Sequence, residues 1–261
     1  MPNTLTVALI QTSLAWENPT ENRRLLSDKI NSVADDVDLF VLPEMFTSGF
    51  TMNASLVAET MQGDTLLWLK NLAEEKQAAI MGSLVITENA RFYNRLVCVE
   101  PTGKVHQYDK RHTFTLAGED KVYKAGSKKI IFDYKGFKIC PLICYDLRFP
   151  VWARNIENYD LLVYAANWPK VRVNAWDALL QARAIENMCY CIGVNRVGLD
   201  GNNYEYSGHS AVFDVLGNRL DSIASGKETI ETITLEQSHI TKYRNKLGFL
   251  KDKDNFTLLK V

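Results

Sequence analysis

The sequence predicts a layered α/β domain whose sheet is mixed rather than wholly parallel. Three observations carry this. Strand and helix patterns alternate over the first third of the chain, strand hairpins interrupt that alternation further on, and several strands are continuous apolar runs of the kind buried on both faces. Two facing sheets with helices outside would account for the high strand count, a choice that periodicity alone leaves open.

Taken in order, residues 5–11 read as a strand. Asn18, Pro19 and Glu21 then form a helix start: a capping side chain, a proline where its missing N–H is not needed, and an acid near the positive end of the helix dipole. That helix is expected to run to about Ala34. Residues 38–42 (DLFVL), stopped by Pro43, are a short buried strand. Gly63-Asp64 opens a helix over 66–76, in which Leu66, Leu69, Leu72 and Ala73 keep helical spacing, and residues 79–86 are again a buried strand. Residues 92–99 and 104–108 flank the turn Pro101-Thr102-Gly103, and residues 129–133 and 137–143 flank Lys135-Gly136, which predicts two hairpins. Residues 161–165 form a buried strand, and 174–188 an amphipathic helix with Trp176, Leu179, Leu180, Ala184 and Met188 on one side. Strands at 190–195, 209–214, 219–223 and 229–235 complete the core before a charged tail from Glu236 on. With no repeat, low-complexity tract or Gly/Ser linker, residues 1–261 read as one domain.

The 30 Lys+Arg and 31 Asp+Glu leave a formal charge of −1, which excludes the basic field that non-specific nucleic-acid binding needs. A small molecule or a protein is the expected partner. The longest apolar runs, such as 39–42 and 161–166, fall far short of the roughly 18 residues that span a membrane. No basic segment or cleavage site marks a secretory signal at the N-terminus, so a cytoplasmic location is expected. Five cysteines leave at least one thiol unpaired in any compartment.

Three reactive side chains stand immediately after predicted strands: Glu44, Lys110 and Cys144. Strand ends hold catalytic groups rigidly while the following loops shape a pocket. Singly, each has an ordinary reading: an inert core thiol, a surface carboxylate, a lysine in a solvated basic turn with Arg111 and His112. Cys140 and Cys144 lack a zinc or redox spacing and no histidine neighbours them, which argues against a metal. Together the three suffice for acyl transfer. The lysine favours thiolate and holds an oxyanion, and the carboxylate takes the thiol proton and returns it to a leaving amine.

The strings LPEMFTSGF around Glu44, YDKRHTF around Lys110 and ICYDLRFP around Cys144, in that order, resemble the nitrilase superfamily of carbon–nitrogen hydrolases. VALIQTSLAW, YNRLVCVEPTGKV, AANWP, QARAIEN, NRVG and FDVLGN extend the resemblance over nearly the whole chain. It implies a four-layer α-β-β-α sandwich with mixed sheets that usually dimerises by its helical face. It also implies Cys144 as nucleophile, Glu44 as general base and Lys110 as transition-state stabiliser, with the Tyr145 backbone amide completing the oxyanion site. A second carboxylate that orients the lysine matches Glu119, with Asp120 as its adjacent rival.

Within the superfamily the motifs look most like the ω-amidase branch, whose members release ammonia from the side-chain amide of 2-oxo acids such as 2-oxoglutaramate and 2-oxosuccinamate. Such a substrate carries a carboxylate, which calls for a cationic clamp. Arg148 is a candidate, although it is also placed to pair Asp146; Trp168 and Phe114 are candidate pocket walls. No cofactor or metal is expected. The rival readings are an N-carbamoyl amide or nitrile hydrolase with the same triad, and a non-catalytic thiol-sensing or interaction module. Arg183 and Glu186 read as a surface or interface pair, His112 as a hydrogen-bonded loop histidine, and His209 as a residue without an identified partner. Cys98, Cys189 and Cys191 read as core thiols.

Overall fold

A computed structural model describes residues 3–33 and 36–258. Its strands, in chain order, are β1 (Thr4–Gln11), β2 (Leu39–Val41), β3 (Ala79–Glu88), β4 (Arg91–Val99), β5 (Val105–Asp109), β6 (Phe132–Tyr134), β7 (Phe137–Ile143), β8 (Leu161–Ala166), β9 (Tyr190–Asn195), β10 (Val197–Leu199), β11 (Glu205–Ser207), β12 (Ala211–Phe213) and β13 (Thr229–Glu236). One sheet has six strands in the order β13-β1-β2-β3-β4-β5, the other five in the order β12-β9-β8-β7-β6. Each is parallel at its centre (β1-β2-β3 and β7-β8-β9) and antiparallel at its margins, the mixed sheet that the sequence predicts.

Alternation along β1 shows how the layers form. Leu5, Val7 and Leu9 point into a core shared with Ile139, Val163 and Ile192 of the other sheet. Ala8 and Ile10, on the opposite face, meet Leu26 and Ile30 of the helix Pro19–Asn31 and Leu66 and Leu69 of the helix Asp64–Lys76. The five-stranded sheet is covered on its outer face by the helix Val173–Asn187, through Trp176, Leu180 and Ala184. Gly193 in β9 lets that helix sit close, since a Cβ there would lie 2.6 Å from the Trp176 ring. The result is the helix-sheet-sheet-helix stack.

Local signals set the element ends. The Asn18 side chain accepts from the Glu21 amide (3.1 Å) with Pro19 just inside the helix. That helix closes at Asn31; its expected end at Ala34 lies outside the described residues. The strand expected at 129–133 is confined to Phe132–Tyr134, and the one at 209–214 to Ala211–Phe213.

Two expectations are corrected, and one hairpin is added. Residues 219–223 are not a strand: apart from an isolated bridge from Arg219 to Phe213, the amides of Ser222 and Ile223 bond to the Glu231 and Asp221 carboxylates. Side chains there outcompete a backbone ladder. The charged tail contains the helix Gln237–Leu247, which buries Ile240 and ties Arg244 to Asp160 (2.9 Å) and to the Met188 carbonyl (2.9 Å). The β10-β11 hairpin carries no apolar alternation in sequence; the Asp200 carboxylate organises its turn by accepting from the amides of Asn202 and Tyr204. Among the described residues, no helix is long and apolar enough to cross a membrane.

Candidate active site

The site lies across the seam between the two sheets. Glu44 follows β2 and Lys110 follows β5, both from the six-stranded sheet; Cys144 follows β7 and Asn167 follows β8, both from the five-stranded sheet. Lys110 reaches its place because Gly126 lets the next loop press on the end of β5: its amide bonds to the Lys110 carbonyl (2.8 Å), and a Cβ there would sit 2.1 Å from the Asp109 carbonyl oxygen. Cys144 has φ +42°, a left-handed conformation costly for a residue with a Cβ. It opens the short 3-10 segment Cys144–Arg148, whose first amides, including that of Tyr145, precede any intrahelical partner.

The Lys110 ammonium donates to Glu44 Oε1 (2.8 Å) and to both oxygens of Glu119 (3.1 and 2.9 Å). Asn94 Nδ2 bridges the same two carboxylates, 2.8 Å from Glu44 and 3.1 Å from Glu119. The Asn167 amide donates to the other Glu44 oxygen (2.8 Å), and the Phe114 amide to Glu119 (2.5 Å). Glu44, Lys110 and Glu119 are all buried, whereas Asp120, the rival to Glu119, is exposed.

Electrostatics follows from this packing. Burial disfavours the charged lysine, yet the Glu119 and Glu44 carboxylates outweigh it and hold the ammonium above the usual lysine range. Burial also raises the Glu119 carboxyl, against the pull of Lys110 and with the repulsion of Glu44. The Cys144 thiol is pushed well above its ordinary value by burial first and by the Glu44 charge second, with Lys110 opposing. Burial and the Glu44 carboxylate thus favour the thiol over the thiolate at Cys144.

Asp146 joins the two halves. Its buried carboxylate accepts from the Tyr108 hydroxyl (2.8 Å), the His112 amide and ring Nδ1 (3.0 and 2.7 Å) and the Ile143 amide (3.0 Å). Residues flanking Lys110 are thereby tied to residues flanking Cys144. His112 is the bonded loop histidine expected, stacked on Phe149 at 3.7 Å.

Glu44, Lys110 and Cys144 open on one cavity of about 550 Å³, which Phe114, Tyr145, Arg148 and Trp168 also line. Arg148 does not pair with Asp146, whose oxygens are taken; its guanidinium lies over the Trp168 ring at 5.0 Å. Arg183 is not at the surface: it is buried, donating to the Leu147 carbonyl (2.6 Å) behind Cys144 as well as to Glu186 (2.9 Å). His209 has a partner, the Asp177 carboxylate at 3.0 Å. Cys98, Cys140, Cys189 and Cys191 are buried free thiols. Sequence reasoning missed Asn94, Asn167 and Arg172. Asn167 lies in the motif AANWP, and Arg172 stands just beyond it. Among the described residues, no cluster of His, Cys, Asp or Glu is arranged to hold a metal.

An α-β-β-α sandwich that gathers a thiol, two carboxylates and an ammonium at its seam fits a hydrolase of carbon–nitrogen bonds, and residues 6–245 match the carbon-nitrogen hydrolase family model. The chain belongs to that family and is an enzyme of it. It is 42% identical to omega-amidase YafV of Escherichia coli (strain K12), covering 97% of this chain and 98% of that one. It is 33% identical to a 2-oxoglutaramate amidase of Bacillus subtilis, over 82% of this chain and 85% of the other. The structure superposes on XC1258 of Xanthomonas campestris, a CN-hydrolase superfamily protein with an arsenic adduct in its active site, with a TM-score of 0.95, 40% identity and coverage of 98% and 99%.

Proposed function

We propose that this enzyme hydrolyses the side-chain amide of a small 2-oxo acid, 2-oxoglutaramate or 2-oxosuccinamate, releasing ammonia through a thioester on Cys144. The observation that carries it is the placement of Cys144 in one buried cavity with Glu44 and with a Lys110 held by two carboxylates. The relatives named ω-amidase and 2-oxoglutaramate amidase supply the substrate class.

Glu44 takes the thiol proton as sulfur attacks the amide carbon, so no free thiolate accumulates. The developing oxyanion is held by the Lys110 ammonium and the Tyr145 amide, groups of a type worth about 3–4 kcal/mol each to a transition state. Protonated Glu44 delivers its proton to departing ammonia. Water then enters, loses a proton to Glu44 and attacks the thioester carbonyl; the carboxylic acid leaves and the thiol regains its proton. Glu119 keeps Lys110 charged and aimed, and Trp168 and Phe114 wall the acyl chain. The enzyme works without a cofactor, in the cytoplasm, as a homodimer joined by its helical face, with the whole chain as one catalytic domain.

The test is an ammonia-release panel on wild type and Cys144→Ser with 2-oxoglutaramate, 2-oxosuccinamate, glutamine, an aliphatic nitrile and an N-carbamoyl amino acid. Release from the 2-oxo acid amides by wild type alone is expected. A serine variant that keeps most of the activity would exclude the covalent route, and preference for the nitrile or the carbamoyl compound would move the enzyme to another branch of the family.

A further inference from the structure

Outside the reaction centre, the cavity wall holds two more cations, Arg148 and Arg172. Both lie over aromatic rings, Arg148 over Trp168 at 5.0 Å and Arg172 over Phe114 at 5.1 Å from the ring centroid. Neither guanidinium forms an ion pair or a side-chain hydrogen bond among the described residues. Most other arginines of the chain are anchored: Arg95 on Asp109 and Glu88, Arg183 on Glu186, Arg244 on Asp160. The neighbouring charges are already used. Asp200, the carboxylate on the cavity wall away from Glu44, accepts from Tyr206 (2.9 Å) and from two backbone amides (2.8 and 3.0 Å), and Lys170 pairs with Glu205 at 2.8 Å.

The two arginines are mechanically linked. The Arg172 carbonyl accepts from the Trp168 indole (2.8 Å), so the residue stacked on Phe114 also fixes the shelf under Arg148. Phe114 in turn donates its amide to Glu119. A guanidinium held over a ring, with its N–H groups unspent, is available to a planar anion. The cavity therefore has a floor where Glu44 and Lys110 are bonded to each other and a rim where Arg148 and Arg172 carry no counter-ion among the described residues.

We propose that Arg172, backed by Arg148, is the specificity determinant that takes the substrate's terminal carboxylate and selects a 2-oxo acid over the corresponding 2-amino acid. This rests on the amide-hydrolase reading above. A carboxylate on the rim points the amide inward to Cys144. An α-ammonium beside that carboxylate would face two guanidiniums without a free acid to receive it, whereas a 2-oxo oxygen is a further acceptor for them.

Four five-carbon amides separate the contributions: 2-oxoglutaramate, glutaramate without the oxo group, glutamine with an ammonium, and pentanamide without a carboxylate. For each protein kcat/KM is measured on all four and read as ratios, which cancel the amount of folded enzyme. Arg172→Gln is expected to lower the glutaramate-to-pentanamide ratio about 30-fold or more, chiefly through KM. Arg148→Gln lowers it less because Arg148 is exposed, and Arg172→Lys restores part of it. Arg172→Glu is expected to shift the 2-oxoglutaramate-to-glutamine ratio toward glutamine. Ratios that stay within about twofold of wild type in Arg172→Gln and Arg172→Glu would overturn the rim, as would a wild type indifferent between glutaramate and pentanamide. A wild type that turns over glutaramate but not 2-oxoglutaramate sinks the substrate reading and the oxo preference together, while the glutaramate-to-pentanamide ratio still decides the carboxylate clamp.

Discussion

The floor of the cavity and its rim are built on opposite principles. On the floor, the charged groups Glu44, Lys110 and Glu119 are buried and bonded to one another, with Asn94 and the Asn167 amide closing the network. On the rim, Arg148 and Arg172 lie over aromatic rings and make no ion pair or side-chain hydrogen bond among the described residues. The difference teaches where each property is stored. Chemistry needs groups fixed before substrate arrives, because reorganisation during reaction is costly. Recognition needs groups whose hydrogen-bonding capacity is still unspent.

The contrast breaks most sharply at Glu44. Glu44→Gln keeps the shape of the floor but removes the base, and turnover should fall by about 10²–10⁴-fold. The same change should ease alkylation of Cys144 by iodoacetamide. In wild type the thiol lies above its ordinary range, so its reaction rate keeps climbing past the pH at which a free cysteine levels off; without the Glu44 charge the profile moves down. A wild-type profile already flat at neutral pH would mean a resting thiolate and a different first step.

Glu119→Gln should depress turnover about 10²-fold through loss of lysine aim. Its melting temperature should fall modestly at most, since the amide oxygen still accepts from Phe114 and relief of the repulsion from Glu44 offsets part of the cost of the donors left unpaired at the other atom. A large drop in melting temperature would make Glu119 a structural residue instead. Asp146→Asn tests the tie between the two halves. An amide cannot accept every donor now bonded to the carboxylate, so a loss of about 1–3 kcal/mol in unfolding free energy is expected, along with slower turnover and little change in the glutaramate-to-pentanamide ratio.

The smallest effect lies far from the site. Partial burial works against ionisation of Glu228, yet hydrogen bonds from Ser13, Lys29 and Thr12 hold its carboxyl at about 2, below the ordinary 4.5. A lowered carboxyl stabilises the fold above its unfolded value, and that contribution fades as pH drops from about 4.5 toward about 2. Acid melting curves of wild type and Glu228→Gln should converge in that window while neutral-pH activity stays unaltered; curves that remain parallel would remove the linkage.

What the sequence made legible follows from range. Glu44, Lys110 and Cys144 each stand at the end of a short apolar run, a local signal. Asn18 and Pro19 likewise announce their helix. Asn94 lies inside β4 and looks like any polar strand residue until the seam brings Glu44 and Glu119 to its amide. Arg183 sits three residues from Glu186 and so reads as a surface pair, although the helix turns it inward to the Leu147 carbonyl. Arg172 offers no local mark at all, because what distinguishes it is the absence of a counter-ion among the described residues in three dimensions. The helix Gln237–Leu247 was obscured by its many charges, which cover all but a narrow apolar stripe around Ile240.

Because the base and the cation hang from one sheet and the sulfur from the other, catalysis works as a caliper on the thickness of the sandwich. Truncating an inward residue such as Val163 or Val7 loosens that spacing without touching the cleft. Turnover, rather than any optical signal of folding, is then the most sensitive gauge of how well the two halves of this molecule are stacked.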